Sequence, residues 1–142
     1  MRAEFAAFKA ALSEPSVLSG KVETTVRVTT NNELVRANYV IVFPSVPVLN
    51  DARYTALQDR DSTRELEYDV RVVAVDADGV LLLADAVMGQ MLGRVLTVAG
   101  RVCDPIRMPQ DNVEEGAVSF DSKARLFMLD MTLRFTSRRV AS

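Results

Sequence analysis

Histidine and tryptophan are absent from this chain of 142 residues, and cysteine occurs only once. Without histidine, the chain lacks both the commonest acid–base side chain of enzymes and an imidazole metal ligand. Aromatic residues make up only 6% of the sequence, which argues against a stacking platform for nucleic-acid bases. The single Cys103 cannot form a disulfide within the chain, so the fold does not depend on an oxidising compartment. These absences exclude a histidine-based active site and weigh against base-specific binding.

Strong net charge and long apolar runs are also missing. The formal net charge is −2, which argues against general electrostatic capture of nucleic acid or of acidic membranes. The longest apolar run, 80–92, contains Asp85 and is shorter than the ~20 residues that cross a bilayer. The first twelve residues include Glu4 and Lys9 and lack the apolar core of a signal peptide. A membrane anchor there is the disfavoured alternative, because the polar face carries few cations. We expect a protein made in the cytoplasm, without membrane contact.

The stretch 63–95 is the centre of the predicted fold. Its first part, 63–75, alternates between charged and apolar side chains, as expected of a strand with one buried face. The apolar positions on that face are Leu66, Tyr68, Val70, Val72 and Ala74. Through 80–95, apolar residues recur three and four apart, which is the period of a helix that buries one stripe. Between the two lies Asp78 next to Gly79, and this aspartate is expected to cap the helix.

The remaining segments complete a predicted sheet and its cover. A short amphipathic helix is expected over 1–13, ending before Pro15, and further strands over 21–30, 37–43, 97–103 and 126–135. Asn31 and Asn32 favour a turn that joins the first two strands as a hairpin, and 118–120 begins a hairpin partner of the last strand. Loops are expected over 44–62 and 104–121, and a basic tail over 137–142. The predicted class is α+β: one domain, 1–142, with a single mixed or antiparallel sheet of four to six strands flanked by one long and one short helix.

A second apolar face is predicted on this sheet. The apolar side chains that point away from the expected helices are Val73, Val75, Leu126 and Met128. One long and one short helix cannot cover both faces, so the second face needs another cover. A partner subunit is the simplest candidate.

Few residue patterns suggest chemistry. The segment 76–79 resembles the start of a calcium loop, but Val87 occupies the twelfth position, where a closing glutamate is required. Two carboxylate pairs occur in loops, Asp59 with Asp61 and Glu114 with Glu115. Adjacent acids in charged loops are usually solvated, and no nucleophile elbow or phosphate loop accompanies them. We therefore predict a protein that is not an enzyme, with no catalytic residue, no metal site and no cofactor.

Opposed charges near the end of the chain suggest a contact between copies. The stretch 104–121 holds five acids and one base, including Asp111, Glu114 and Glu115. The stretch 123–139 holds five bases and one acid, including Arg134, Arg138 and Arg139. Arginine is enriched at protein interfaces because its planar head offers five donors. We expect these six residues to contribute to subunit or partner contacts.

The element order resembles that of the tail terminator proteins of long-tailed bacteriophages. The resemblance is carried by a short first helix ending near Leu12, a Gly-Lys-Val strand opening at Gly20, and a Glu-Tyr-Asp-Val-Arg-Val-Val-Ala-Val strand at 67–75. A long helix at 79–95 and a final Arg-Leu-Phe-Met-Leu-Asp-Met-Thr-Leu-Arg-Phe strand at 125–135 complete it. The segment 44–62 matches this pattern least.

This resemblance implies a structural role in the virion, at the junction of head and tail. Proteins of that family form a homohexameric ring that caps the tail tube, stops its polymerisation and joins the tail to the head-side connector. The implied partners are further copies of the chain, the tail tube protein and the connector protein, with DNA passing through the ring without sequence-specific binding. Three alternatives remain: another neck or head–tail adaptor component, a small enzyme or ligand-binding α+β domain, or a plain intracellular dimer.

Overall fold

The computed structural model describes residues 2–27, 30, 35–44, 48–49, 63–109 and 118–140, and for 48–49 the backbone only. Two helices and eight strands occur in this part of the chain. In chain order they are α1 (Arg2–Leu12), β1 (Val22–Glu23), β2 (Tyr39–Pro44), β3 (Val48–Leu49), β4 (Thr63–Ala74), α2 (Ala77–Met91), β5 (Thr97–Val98), β6 (Arg101–Cys103), β7 (Ser119–Asp121) and β8 (Leu126–Arg139). The α+β class with one long and one short helix is confirmed.

The antiparallel pair of β4 and β8 forms the centre of the sheet. The two strands pair from Thr63 opposite Arg138 to Ala74 opposite Phe127. In both strands the predicted alternation is confirmed, since the apolar side chains of one face are buried beneath the helices. A register with a period of two is strongly specified where one face is buried, because a slip by one residue would turn every apolar side chain to the other face.

The strand order is β1-β2-β4-β8-β6-β5, with β3 also pairing with β4 and β7 with β8. The predicted hairpin of the first two strands is wrong, because β1 runs parallel to β2 and covers only two residues. Arg27 explains why the predicted strand 21–30 is short. Its guanidinium bonds to Glu23, four residues back, at 2.6 Å and to the carbonyl of Gly20 at 3.0 Å. An extended chain would place residues seven apart about 23 Å from each other, beyond the reach of an arginine side chain, so the chain must fold back between Gly20 and Arg27. Asn31 and Asn32 lie outside the described residues.

Helix α2 begins two residues earlier than expected. The N-cap is Asp76, whose carboxylate accepts a hydrogen bond of 2.6 Å from the backbone N–H of Gly79, while Asp78 occupies the first turn. The predicted cap at Asp78 is therefore wrong by two residues, although the physical cause of the helix start is the expected one. The helix ends at Met91, and Gly93 follows with a φ of 79°, the left-handed conformation that glycine adopts most easily.

Two further boundaries differ from prediction. The strand expected over 97–103 is a hairpin of β5 and β6, with Gly100 at a φ of 74° in its turn. The expected basic tail is instead the end of β8, because 137–139 pair with β6. The segment 44–62 lies outside the described residues apart from Pro44 and the backbone of 48–49, which pairs with β4.

The main core lies between the helices and one face of the sheet. Phe8 of α1 packs edge-on against Tyr68 with ring centroids 4.7 Å apart, and nearly parallel to Phe135 at 6.5 Å. Helix α2 buries Val80, Leu83, Ala84, Val87 and Met91 against the same face. A smaller apolar cluster on the other face consists of Tyr39, Ile41, Val73 and Leu126.

Candidate interaction surfaces

Ion pairs cover most of the sheet face that points away from the helices. Arg71 donates hydrogen bonds of 2.7 and 3.1 Å to the two carboxylate oxygens of Asp130, directly across the β4–β8 ladder. Further along, Arg134 donates to Glu67 at 3.1 Å and lies 3.4 Å from Glu65. Additional pairs on this ladder and its edge are Thr132 with Asp69, Arg107 with Glu65, and Arg138 with Asp104. This face is therefore polar along most of its length.

The predicted need for a cover on that second face is wrong in its main part. Val73 and Leu126 are already buried, and the half-buried Met128 packs against them. Val75 keeps 37% of its surface exposed. The sequence pattern identified apolar positions correctly, but it did not show that the charged positions between them pair across strands. On the side of the helices, Leu81 and Leu82 of α2 are more exposed than Val75.

A buried carboxylate fastens α1 to the sheet. Glu4 has no exposed surface, accepts a hydrogen bond of 3.2 Å from Arg64 and one of 3.2 Å from the hydroxyl of Ser137, and lies 3.1 Å from Arg101. Arg101 also donates to the carbonyl of Ser137 at 3.0 Å. One carboxylate thus joins α1 to β4, β6 and β8, and the two guanidinium groups balance its charge.

Burial changes the protonation behaviour of this cluster. Desolvation opposes the ionised form of Glu4, but the hydrogen bonds it accepts and the positive charge of Arg64 outweigh it and lower its pKa below 4.5. Burial, followed by the negative charge of Glu4, raises the pKa of Tyr68, whose hydroxyl has no hydrogen-bond partner among the described residues. Burial likewise raises the pKa of the Cys103 thiol. Cys103 is therefore an inert buried side chain, as its surroundings are not those of a reactive thiolate.

The outward face of α2 is apolar and acidic. Leu81 and Leu82 are 52% and 58% exposed, although most large apolar side chains among the described residues are buried. Asp78 and Asp85 flank them, one turn before and one turn after, and both are exposed. Neither aspartate forms an ion pair with another described residue. Contiguous exposed apolar side chains rimmed by charges are typical of a contact surface.

The outward face of α1 is a groove with a basic rim. Its volume is about 510 Å³, and its lining residues are Arg2, Ala3, Phe5, Ala6 and Lys9. The ammonium group of Lys9 lies 4.8 Å from the ring centroid of Phe5. In the described part of the chain, Arg2 and Lys9 have no carboxylate partner. The small side chains let another element approach the helix closely, and the two cations favour an acidic one.

Of the six predicted contact residues, two form ion pairs within the chain, one is exposed and three lie outside the described residues. Arg134 is paired with Glu65 and Glu67, and Arg138 with Asp104, all within the chain. Arg139 is exposed and lies opposite Arg101 in the β6–β8 ladder, with no ion pair to a described residue. The predicted acids Asp111, Glu114 and Glu115 lie outside the described residues.

Sequence reasoning missed both Glu4 and the α1 groove. The spacing of Glu4 from Phe8 and Leu12, at four and eight residues, places all three on one helix face and is the signal that could have revealed its burial. Within the described ranges, no cluster of three or more histidine, cysteine, aspartate or glutamate side chains could hold a metal ion. None of the described helices is both long and apolar enough to cross a membrane.

Comparisons with known proteins find similarity of fold and not of sequence. No protein-family model matches the chain, and no curated protein matches it. A chain in a solved structure described as the virion of a native gene transfer agent particle is similar over 96% of both chains, with 14% identity and a TM-score of 0.67. A second solved chain is similar over 99% of this chain and 94% of its own, with 12% identity and a TM-score of 0.61. At these identities, the likeness establishes a shared fold.

Proposed function

We propose that the protein is a structural component of a phage-like virion, located at the junction of head and tail. The observation that carries this proposal is the fold shared, over 96% of both chains, with a chain of a gene transfer agent virion. The surfaces described above support it, because exposed leucines and unpaired charges are arranged for contact and not for chemistry.

More specifically, we propose that copies of the chain form a ring, a hexamer by the resemblance to tail terminators. The ring would cap the tail tube, end its polymerisation and bind the head-side connector, while DNA passes through it. The paired charges on the outer sheet face agree with this role, because arginines such as Arg71 and Arg134 already engage carboxylates of their own chain. Such a surface offers phosphates little net attraction, so DNA could slide past it.

The native chain is therefore expected to form rings, alone or on the end of its tail tube. Light scattering during size exclusion gives the mass of the assembly, and negative-stain electron microscopy shows its shape. Addition to growing tubes of the tail tube protein is expected to stop elongation and leave one ring at each tube end. Rings that bind only the connector would point to the neck adaptor instead, and a chain that binds neither, at any concentration, would contradict both.

In the proposed contact between copies through the basic end of β8, Arg139 is the residue to test, because Arg134 and Arg138 form ion pairs within their own chain. Arg139→Glu is expected to weaken assembly about tenfold, because a rim cation that meets the acids at 111–115 of a neighbour would become repulsive. Arg138→Glu is a less clean test, since it also breaks the pair with Asp104 at 3.3 Å. Sedimentation velocity over a dilution series measures the effect. An Arg139→Glu variant that assembles like the native chain would remove this residue from the contact.

A further inference from the structure

We propose that the outward face of α2 of one copy packs into the α1 groove of the next copy. This contact rests on the proposed ring and supplies a specific interface for it. It is distinct from the contact through the end of β8, which lies on the sheet. Three features of the described surface support this contact: the composition of the two faces, the equal spacing of their charges and the positions of the faces at opposite ends of the helix layer.

The α2 face presents two leucines between two acids. Leu81, Leu82 and Asp85 lie three, four and seven residues after Asp78, so the four side chains form one stripe along the helix. All four are exposed, and the leucines retain more than half of their surface. A helix stripe that is apolar in its middle and charged at both ends suits a groove that is apolar in its middle and oppositely charged at both ends.

The α1 groove has that composition. Arg2 and Lys9 occur at its two ends, and Ala3, Phe5 and Ala6 lie between them. Ala3 and Ala6 project little from the helix, so the axis of a second helix could approach to about 8 Å, the short end of the usual range. Two leucine side chains would then lie against Phe5 and the alanines, where they lose their contact with water.

The charges on the two helices also have the same spacing. Asp78 and Asp85 are seven residues apart, and so are Arg2 and Lys9. At a rise of about 1.5 Å per residue, each pair spans about 10.5 Å along its helix. A parallel arrangement brings Arg2 to Asp78 and Lys9 to Asp85, whereas an antiparallel one exchanges the partners. Either arrangement satisfies both ion pairs at once and places the leucines level with Phe5 and Ala6.

The two faces lie toward opposite ends of the helix layer. Glu4 holds the start of α1 over Arg64, at the beginning of β4, whereas α2 starts just after Ala74, at the other end of that strand. Ten residues of strand span about 33 Å. The C-terminal ends of the helices meet instead, since Gln90 of α2 donates a hydrogen bond of 2.9 Å to the carbonyl of Ala11.

This placement determines the kind of assembly. A chain cannot fill its own α1 groove with its own α2 face, so the contact must be made between copies. The two contacting surfaces are different, which makes the contact heterologous: every copy offers one face and receives the other. A heterologous contact generates a closed ring when its rotation closes, and a filament when it does not.

A charge exchange tests the contact. One variant carries Arg2→Glu and Lys9→Glu, and the other carries Asp78→Lys and Asp85→Lys. Each alone is expected to raise the dissociation constant of the assembly about 100-fold, because like charges then face each other. An equimolar mixture of the two is expected to restore assembly, since an alternating ring matches opposite charges at every contact. An even-numbered ring such as a hexamer permits this alternation.

The matched control is Lys21→Glu, a lysine reversal at a half-buried position outside both faces. It is expected to assemble like the native chain. Circular dichroism confirms that each variant is folded. Reversed variants that assemble normally, or a mixture that stays as weak as its components, would overturn the proposed contact.

Crosslinking provides a measurement that does not depend on charge. Ala6→Cys and Leu82→Cys chains are mixed at high concentration and treated with a short bismaleimide, while the native Cys103 is buried. We expect a product that joins position 6 of one chain to position 82 of another, and no product joining like positions. Native rings without the mixed product would refute this contact and leave the proposed function intact. The mixed product in open filaments that ignore tube ends would support the contact and contradict the proposed function.

Discussion

Glu4→Gln is expected to lower the free energy of unfolding by about 3 kcal/mol, the low end of the range for breaking a buried ion pair. The carboxylate has no exposed surface and lies within 3.2 Å of both Arg64 and Arg101. The variant leaves two guanidinium groups beneath α1 without the negative charge that balances them. Urea denaturation followed by circular dichroism measures the change, with the slope of the transition checked against that of the native chain.

Two controls distinguish the loss of the Glu4 charge from other causes of a change in stability. Tyr68→Phe removes a neighbouring buried hydroxyl that has no partner among the described residues, so it is expected to leave stability unchanged or raise it by about 1 kcal/mol. Because subunit assembly also stabilises a folded chain, each variant is unfolded at two protein concentrations. A Glu4→Gln variant as stable as the native chain would show that the buried pair contributes no net stability.

The difference in stability between the native chain and Glu4→Gln is expected to depend on pH, and the pKa shift of Glu4 gives the sign of that dependence. The pKa of Glu4 is lowered in the folded state, so its ionised form favours folding. This contribution is fully present above the ordinary glutamate value of 4.5 and is lost as the pH falls through the lower folded-state pKa. The stability difference between the native chain and Glu4→Gln is therefore expected to be constant from pH 7 to 5 and to narrow below about 4.5.

The burial of Glu4 also shows what a sequence pattern leaves open. Its neighbours Phe8 and Leu12 reveal the helix face, but a charged residue on that face is ordinarily assigned to solvent. The partners that make burial possible lie far along the chain, Arg64 at 60 residues and Ser137 at 133 residues. Only the completed sheet brings them together, so the helix spacing could indicate that Glu4 is buried but could not identify its partners.

The central strands were predicted well because their sequence pattern does not depend on distant residues. The alternation in β4 and β8 reflects burial of one face of each strand and can be recognised without knowledge of any partner. The parallel pairing of β1 with β2 depends instead on the path of the chain after residue 24, where Arg27 bonds back to Glu23. The sequence pattern of β1 alone does not show that path. Prediction of the outer sheet face failed in the same way, since pairs such as Arg71 with Asp130 are 59 residues apart.

For the contact surface on α2, too, the sequence shows the residues but not their exposure. The leucines of α2 are visible in the sequence, yet their exposure follows from the burial of Val80, Leu83 and Val87 on the sheet, which leaves Leu81 and Leu82 facing outward. A helix of fifteen residues with this many apolar positions exceeds what one face of the sheet can cover. The excess is what becomes available for contact between copies. The proposed assembly would use apolar surface that folding of a single chain leaves exposed.

Phe8→Ala is expected to lower the free energy of unfolding by about 3–5 kcal/mol, the range for removing a large buried aromatic side chain. Phe8 is fully buried and packs on both Tyr68 and Phe135, so its loss detaches α1 from the two central strands. Phe5→Ala is the matched control, because Phe5 is only partly buried and its ring centroid lies 5.5 Å from that of Tyr68. We expect this variant to lower the free energy of unfolding by about 1 kcal/mol.

Phe8→Ala is expected to separate the stability of the sheet from assembly, whereas Phe5→Ala also alters the proposed groove and serves as a control for stability only. A detached α1 no longer presents its groove, so Phe8→Ala should lose assembly at temperatures where β4 and β8 remain folded. Hydrogen exchange measured by mass spectrometry would then show loss of protection in 2–12 and retained protection in 63–74 and 126–139. Uniform loss of protection across all three segments would instead mean that α1 and the sheet unfold as one cooperative unit, and assembly would then depend on global stability alone.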